Sequence, residues 1–186
     1  HRCCRRQRQM CIRDRQETKV DDPQFPLKAF EAAGWRVSIH GQKAYNGVAM
    51  VSREALEDVR CGFIGELPDD SDARTLSEQK RVISARLDGV RVLNLYVPNG
   101  SGLKSEKYPY KLSWLACLRR YLDAQAERGE PLCMVGDFNI AMEARDIHDP
   151  DRLTGGIMAS SAEREALKAA LGAVSYTHLR AHETSH

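Results

Sequence analysis

The sequence predicts an α/β fold in which a mixed β-sheet is covered by helices. Three observations carry that reading. Arg81–Leu87 and Val90–Val97 read as strands separated only by Asp88-Gly89, the dipeptide of a two-residue hairpin turn. Leu112, Leu115, Leu118, Leu122 and Ala126 recur at helical spacing and mark one face of a long helix over residues 110–128. Leu132–Val135 is a short apolar run set between Gly129-Glu130-Pro131 and Gly136-Asp137, and reads as a buried strand. Strand pairs joined by turns and interleaved with helices indicate a sheet with helical cover.

The remaining elements follow in order. Asp21-Asp22-Pro23 offers a helix start, Phe25, Leu27, Phe30 and Ala33 supply an apolar face, and Gly34 ends the helix. Trp35–His40 alternates apolar and polar residues, as a half-buried strand does. A loop over Gly41–Gly47 leads to a second strand at Val48–Val51. Residues 67–78, with Pro68-Asp69-Asp70-Ser71-Asp72, read as an exposed loop. Pro98-Asn99-Gly100 ends the hairpin's second strand, and residues 100–108 read as a polar loop. In the long helix, Lys111, Arg119 and Arg120 fall on the side away from the leucines. After Asn139 the chain reads as a loop through Gly156, and Ser160 with Glu163 forms a capping box that starts a helix through Leu171.

The 186 residues are 42% hydrophobic and 29% charged, which suits one globular domain. No apolar run approaches the roughly 18 residues of a membrane span, and the basic N-terminus lacks the apolar segment of a secretory signal. The two ends differ from the middle. His1–Arg15 carries six arginines and three of the six cysteines, and Val174–His186 carries three of the six histidines. Met10–Arg15 and Val174–Thr184 resemble translated sequencing-adapter DNA. The chain is therefore divided into a non-native segment 1–15, a partial domain 16–173 and a non-native segment 174–186. The alternative is a basic nucleic-acid-binding arm and a His-rich metal-binding tail. Residues 16–173 hold 21 basic and 24 acidic side chains, a net charge of −3. A polyanionic partner would then need a local basic patch or a bound metal. Cys61, Cys117 and Cys133 are widely spaced and odd in number, and read as reduced thiols, with Cys117 and Cys133 in packing roles.

Four polar residues stand at strand ends or beside them: Glu17, Tyr96, Asp137 and Asn139. Each has an ordinary structural reading. Asp-x-Asn after a strand is common turn chemistry, a strand tyrosine usually packs, and a lone glutamate is usually solvated. As a set they look different. Carboxylate and amide oxygens are what a hard cation such as Mg²⁺ takes, and Mg²⁺ keeps several waters beside one or two carboxylates. Glu17 and Asp137 meet that need if the fold allows it. Tyr96 could bond a phosphate oxygen without adding charge, and Asn139 could donate to the same oxygens as charge builds. Lys43, Tyr45 and Asn46 in the Gly41–Gly47 loop, and Asn99 in the turn, are weaker candidates for contacts to substrate. His40 and His148 have no partner at metal-ligand or catalytic spacing.

Four stretches together resemble the exonuclease III family: Gln16-Glu17-Thr18-Lys19, Gly41–Ala49, Asn94–Gly100 and Gly136-Asp137-Phe138-Asn139. They stand in the family's order, and the resemblance covers essentially all of residues 16–173. It implies a four-layered α/β sandwich of the DNase I-like type. It also implies hydrolysis of DNA phosphodiesters with Mg²⁺, or Mn²⁺ in its place. The implied activities are 3′→5′ removal of nucleotides and incision beside abasic sites, on double-stranded and abasic-site DNA, by a monomer in the bacterial cytoplasm and not at a membrane. By the same resemblance Glu17 matches the metal-binding glutamate and Tyr96 the phosphate-contacting tyrosine. Asp137 matches the aspartate acting on protons at the scissile bond, and Asn139 the asparagine beside the metal, which makes Glu17, Asp137 and Asn139 the metal set.

The departures carry expectations too. The family's opening strand with its asparagine, and its C-terminal tryptophan region, Arg-Ile-Asp strand and Asp-His pair, have no counterpart here. The sequence thus predicts an incomplete fold and site, inactive and poorly soluble on its own. Two further readings remain open. One is a superfamily phosphatase or phosphodiesterase on small phosphorylated substrates. The other is a nucleic-acid-binding homologue without catalysis, against which the presence of Glu17, Asp137 and Asn139 argues.

Overall fold

The computed structural model describes residues 12–172. Within them the chain forms two compact units. The first runs to Tyr96 and takes in Arg128–Gly136, and the second holds Val97–Glu127 and the chain from Asp137.

The first unit contains two sheets, in keeping with the sandwich the family resemblance implied, where the local element pattern by itself suggested one mixed sheet. β1 (Ile12–Gln16), β2 (Arg36–His40) and β3 (Val48–Ser52) form an antiparallel sheet in the order β1-β3-β2. β4 (Glu57–Cys61), β5 (Val82–Leu87), β6 (Val90–Tyr96) and β7 (Leu132–Asp137) form the second, in that order, with the last residue of β7 belonging to the second unit. The Asp88-Gly89 turn stands as expected: Leu87 pairs with Val90, and both turn residues have positive φ, at 50° and 71°. β7 runs parallel to β6, since Arg91 N–H bonds Pro131 O and Val97 N–H bonds Asp137 O at the same sequence offset. A parallel pair needs a crossover, and residues 97–131 supply it.

The two sheets face each other over a core that includes Ile12, Val48, Met50, Ile83, Val92 and Val135. β3 and β6 are buried along their whole lengths, which is why they read as near-continuous apolar runs. Asn94, a polar residue, sits inside this layer. Asn94 donates through Nδ2 to Arg15 O and Ala49 O, both at 3.0 Å, and accepts from Gln16 Nε2 at 2.7 Å. A buried amide with three partners is satisfied, and here it joins β6 to β1 and β3.

Several expectations are corrected. Residues 67–78 are not a loop throughout, for Ser71–Ser77 form helix α2. Asp70 caps it by accepting from Ala73 N–H, and Ala73 and Leu76 are buried. The run of aspartates that suggested a loop includes the N-cap itself. The helix expected over residues 21–34 is a 3-10 turn at Asp22–Gln24 followed by α1 (Leu27–Ala32), because Pro26 begins a new element. Glu57–Cys61, left without a reading, is an edge strand with an irregular register between Glu57 and Arg60. Ile12–Arg15 pair with β3 and bury Ile12, which bears on their conformation and leaves the reading of residues 1–15 as non-native where it stood. Cys133 is buried and disulfide-bonded, against the reduced thiol expected from its spacing, whereas Cys61 and Cys117 are not disulfide-bonded. Most of 1–15 and all of 174–186 lie outside them as well.

The second unit contains α3 (Lys107–Glu127), α4 (Pro150–Leu153) and α5 (Ser161–Leu171), with α3 packed on α5. Trp114, Leu115, Leu118 and Leu122 of α3 are fully buried, as are Leu167 and Ala170 of α5. The capping box at α5 is present: Ser160 Oγ accepts from Glu163 N–H at 3.3 Å, and Glu163 Oε2 accepts from Ser160 N–H at 3.1 Å. Lys111, expected on the polar side of α3, is completely buried.

Candidate active site

Glu17 follows directly on β1, and its φ of 52° turns the chain out of the strand. Tyr96 is the last residue of β6, its ring almost wholly buried. The Tyr96 hydroxyl donates to Glu17 Oε1, so the fold brings these two predicted residues into direct contact from opposite sheets. Lys19 lies 3.2 Å from the other carboxylate oxygen. Arg81 stacks its guanidinium 4.7 Å from the Tyr96 ring centre and donates to Tyr96 O at 3.2 Å. Together these hold the Glu17 carboxyl below its ordinary range: the Tyr96 hydrogen bond is the largest cause, and Lys19 and Arg81 add to it against the cost of burial. Glu17 is thus an ionised carboxylate whose side chain keeps 48% of its exposure, a hard oxygen donor open to solvent.

The Gly41–Gly47 loop is tied to the residues after Glu17. Thr18 N–H bonds Gly47 O, Lys19 N–H bonds Asn46 O at 3.0 Å, and Ala44 N–H bonds Lys19 O at 3.0 Å. Asn46 donates to Gln42 Oε1 at 3.0 Å. Its candidacy is therefore weakened, since its amide serves the loop. Tyr45 is 71% exposed and Lys43 is exposed beside it, so a large ring and a cation are displayed on a loop with a fixed backbone.

In the second unit, Asp137 and Asn139 are neighbours in space. Asn139 N–H donates to Asp137 Oδ1 at 3.0 Å, and Asn139 Nδ2 donates to Asp137 Oδ2 at 3.2 Å and to Val97 O at 2.9 Å. The turn between them depends on Gly136, at φ 125°, where a Cβ would lie 2.0 Å from Leu95 O. Asn139 itself has φ 49°. Both N–H groups of its amide are engaged, which leaves Oδ1, an acceptor, as its remaining polar atom. That favours an oxygen-donor role over donation to a phosphate. Asn99 is exposed, its Oδ1 accepts from Ser101 N–H at 2.9 Å, and its carbonyl accepts from Lys111. Among the described residues, no three His, Cys, Asp or Glu side chains form a ready-made metal cluster.

Sequence reasoning missed Asn94, Arg81 and Lys111. Asn94 stood in the quoted motif but was given no role. Arg81 and Lys111 carried no local signal, since an arginine opening a strand and a lysine on a helix are commonly solvated.

Residues 15–182 match the model of the endonuclease/exonuclease/phosphatase family. Exodeoxyribonuclease III of Haemophilus influenzae is 35% identical over 137 residues, 71% of this chain and 48% of that enzyme. A variant of the 3′ phosphatase NExo from Neisseria, bound to a product DNA hairpin, superposes with a TM-score of 0.78 at 40% identity, over 88% of this chain and 60% of that one. An AP endonuclease from Archaeoglobus fulgidus gives a TM-score of 0.78 at 36% identity, over 90% of this chain and 62% of that one. The chain thus spans about half the length of the Haemophilus relative. Its fold is α/β of the DNase I-like type, with two sheets, and the chain belongs to the endonuclease/exonuclease/phosphatase family.

Proposed function

We propose that this protein is a DNA-repair nuclease that hydrolyses DNA phosphodiesters with a divalent metal, Mg²⁺ or Mn²⁺. Its proposed activities are 3′→5′ removal of nucleotides and incision beside abasic sites. The observation that carries this is the Glu17–Tyr96 pair, an ionised carboxylate at a strand end held by a buried tyrosine hydroxyl. The names of the relatives point the same way, to DNA as substrate. No helix of the described residues is long and apolar enough to cross a membrane. As part of this proposal it acts as a monomer in the bacterial cytoplasm; the exodeoxyribonuclease III relative supports DNA as the substrate.

The donor chemistry fits a hard cation. Glu17 is the carboxylate that would hold it, with Asp137 and Asn139 as further oxygen groups expected from the sequence. A bound metal would orient a phosphate and neutralise its charge. The chain's own residues have separable tasks. Tyr96 keeps Glu17 ionised and oriented. Asp137, its two oxygens steered by Asn139, is the group for moving a proton at the attacking water or the leaving oxygen. Lys43 and Tyr45 contact the nucleic acid, the cation through a phosphate and the ring by stacking.

The test uses a 5′-labelled duplex with one abasic site, and a second duplex ending in a 3′-phosphate, since one relative is a 3′ phosphatase. The protein expressed from its complete gene should incise the first with Mg²⁺ and lose that activity in EDTA. Activity on the 3′-phosphate alone would narrow the function to end processing. Activity on neither DNA would overturn the reading.

A further inference from the structure

Lys111 is a fully buried cation with three N–H donors, and each has an acceptor on a different segment. Nζ lies 2.6 Å from Glu163 Oε1, 2.7 Å from Asn139 O and 3.3 Å from Asn99 O. The Glu163 oxygens are equally occupied. Oε1 also accepts from Met158 N–H at 3.1 Å, and Oε2 accepts from Ser160 N–H and from Ser160 Oγ at 2.6 Å. Ser160 Oγ in turn meets the Tyr108 hydroxyl at 2.7 Å. The lysine stem passes over Gly100, where a Cβ would lie 3.2 Å from Lys111 Cδ and 2.9 Å from Ile157 Cδ1.

Two carbonyls aimed at one point repel each other unless a cation sits between them. Lys111 is that cation, and Glu163 balances it. Asn139 is thereby held by all its backbone groups and its amide: N–H by Asp137, carbonyl by Lys111, side chain by Val97 and Asp137. We infer that Lys111 and Glu163 are positioning residues, a buried clip that fixes the Asp137–Asn139 turn and the Asn99–Gly100 turn in the conformation used for catalysis. This rests on the assignment of Asp137 and Asn139 to the reaction. A neutral helix-to-helix strut would hold α3 against α5 equally well, but would leave the two carbonyls without a donor.

Hydrogen–deuterium exchange of the protein expressed from its complete gene separates the two roles, because it reads each segment without substrate. In Lys111→Met, residues 137–141 and 97–101 should exchange roughly tenfold faster, while the centre of α3, residues 114–122, stays protected. Where Lys111→Met leaves Glu163 as a lone buried charge and unfolds the unit, K111M/E163Q removes both charges and keeps the cap. The double variant should recover the thermal midpoint but keep the fast exchange at 137–141. Unchanged exchange at 137–141, an increase that only parallels residues 114–122, or recovery of both properties in the double variant would overturn the clip. Adding abasic-site duplex with Mg²⁺ to the wild type should slow exchange at 137–141. Loosening in Lys111→Met without that protection keeps the clip and overturns the assignment of Asn139 to the substrate site.

Discussion

The Tyr96 hydroxyl donates to the Glu17 carboxylate from the end of β6 to the end of β1, so two residues 79 positions apart in the chain act as one group. Tyr96→Phe should therefore act through Glu17. Loss of a hydrogen bond that orients a metal-binding carboxylate costs about 10–100-fold in metal affinity. Mn²⁺ titration of the variant should show a loss in that range. An unchanged affinity would separate Tyr96 from the metal.

The same pair sets a pH dependence. Glu17 is depressed in the folded state, chiefly by the Tyr96 bond. Its contribution to stability is present above the ordinary glutamate value and is lost as pH falls through the lower folded value. Carboxyl NMR titration should show Glu17 ionising below ordinary glutamates in the wild type and moving up toward them in Tyr96→Phe.

Asn94→Ala should destabilise the protein without touching the reacting groups. It leaves Arg15 O and Ala49 O without their donor inside the core, at about 1–3 kcal/mol each. Denaturant unfolding should show a lower midpoint with no change in Mn²⁺ affinity per folded molecule.

Gly136→Ala combines a φ of 125° with a Cβ 2.0 Å from the Leu95 carbonyl oxygen. Backbone cannot yield as a flexible side chain does. A loss of more than about 4 kcal/mol is expected, at the extreme of single substitutions. Soluble, fully stable Gly136→Ala protein would show that the turn has another conformation.

Lys43 and Tyr45 should separate in DNA binding. Lys43→Ala should lower the salt slope of duplex affinity by about one, evenly across sequences. Tyr45→Ala should cost about 1–3 kcal/mol on DNA with an unstacked base or end, with the salt slope unchanged. Fluorescence anisotropy at several salt concentrations reads both.

The sequence by itself determined the local elements and the identity of the polar groups. Asp88-Gly89 specifies a hairpin because only left-handed φ values close it, and Ser160 with Glu163 specifies a helix start because two orphan N–H groups need those oxygens. Glu17, Tyr96, Asp137 and Asn139 were legible because their motifs are short and local. Tertiary structure decided what those groups do to one another. That Tyr96 bonds Glu17, that Asn94 joins two sheets, and that Lys111 lies buried on Glu163 all depend on pairs 52–79 residues apart in the chain. No periodicity or turn signal encodes such a distance. A helix lysine is solvated or buried according to what packs over it, and the acceptors around Lys111 come from two turns and another helix.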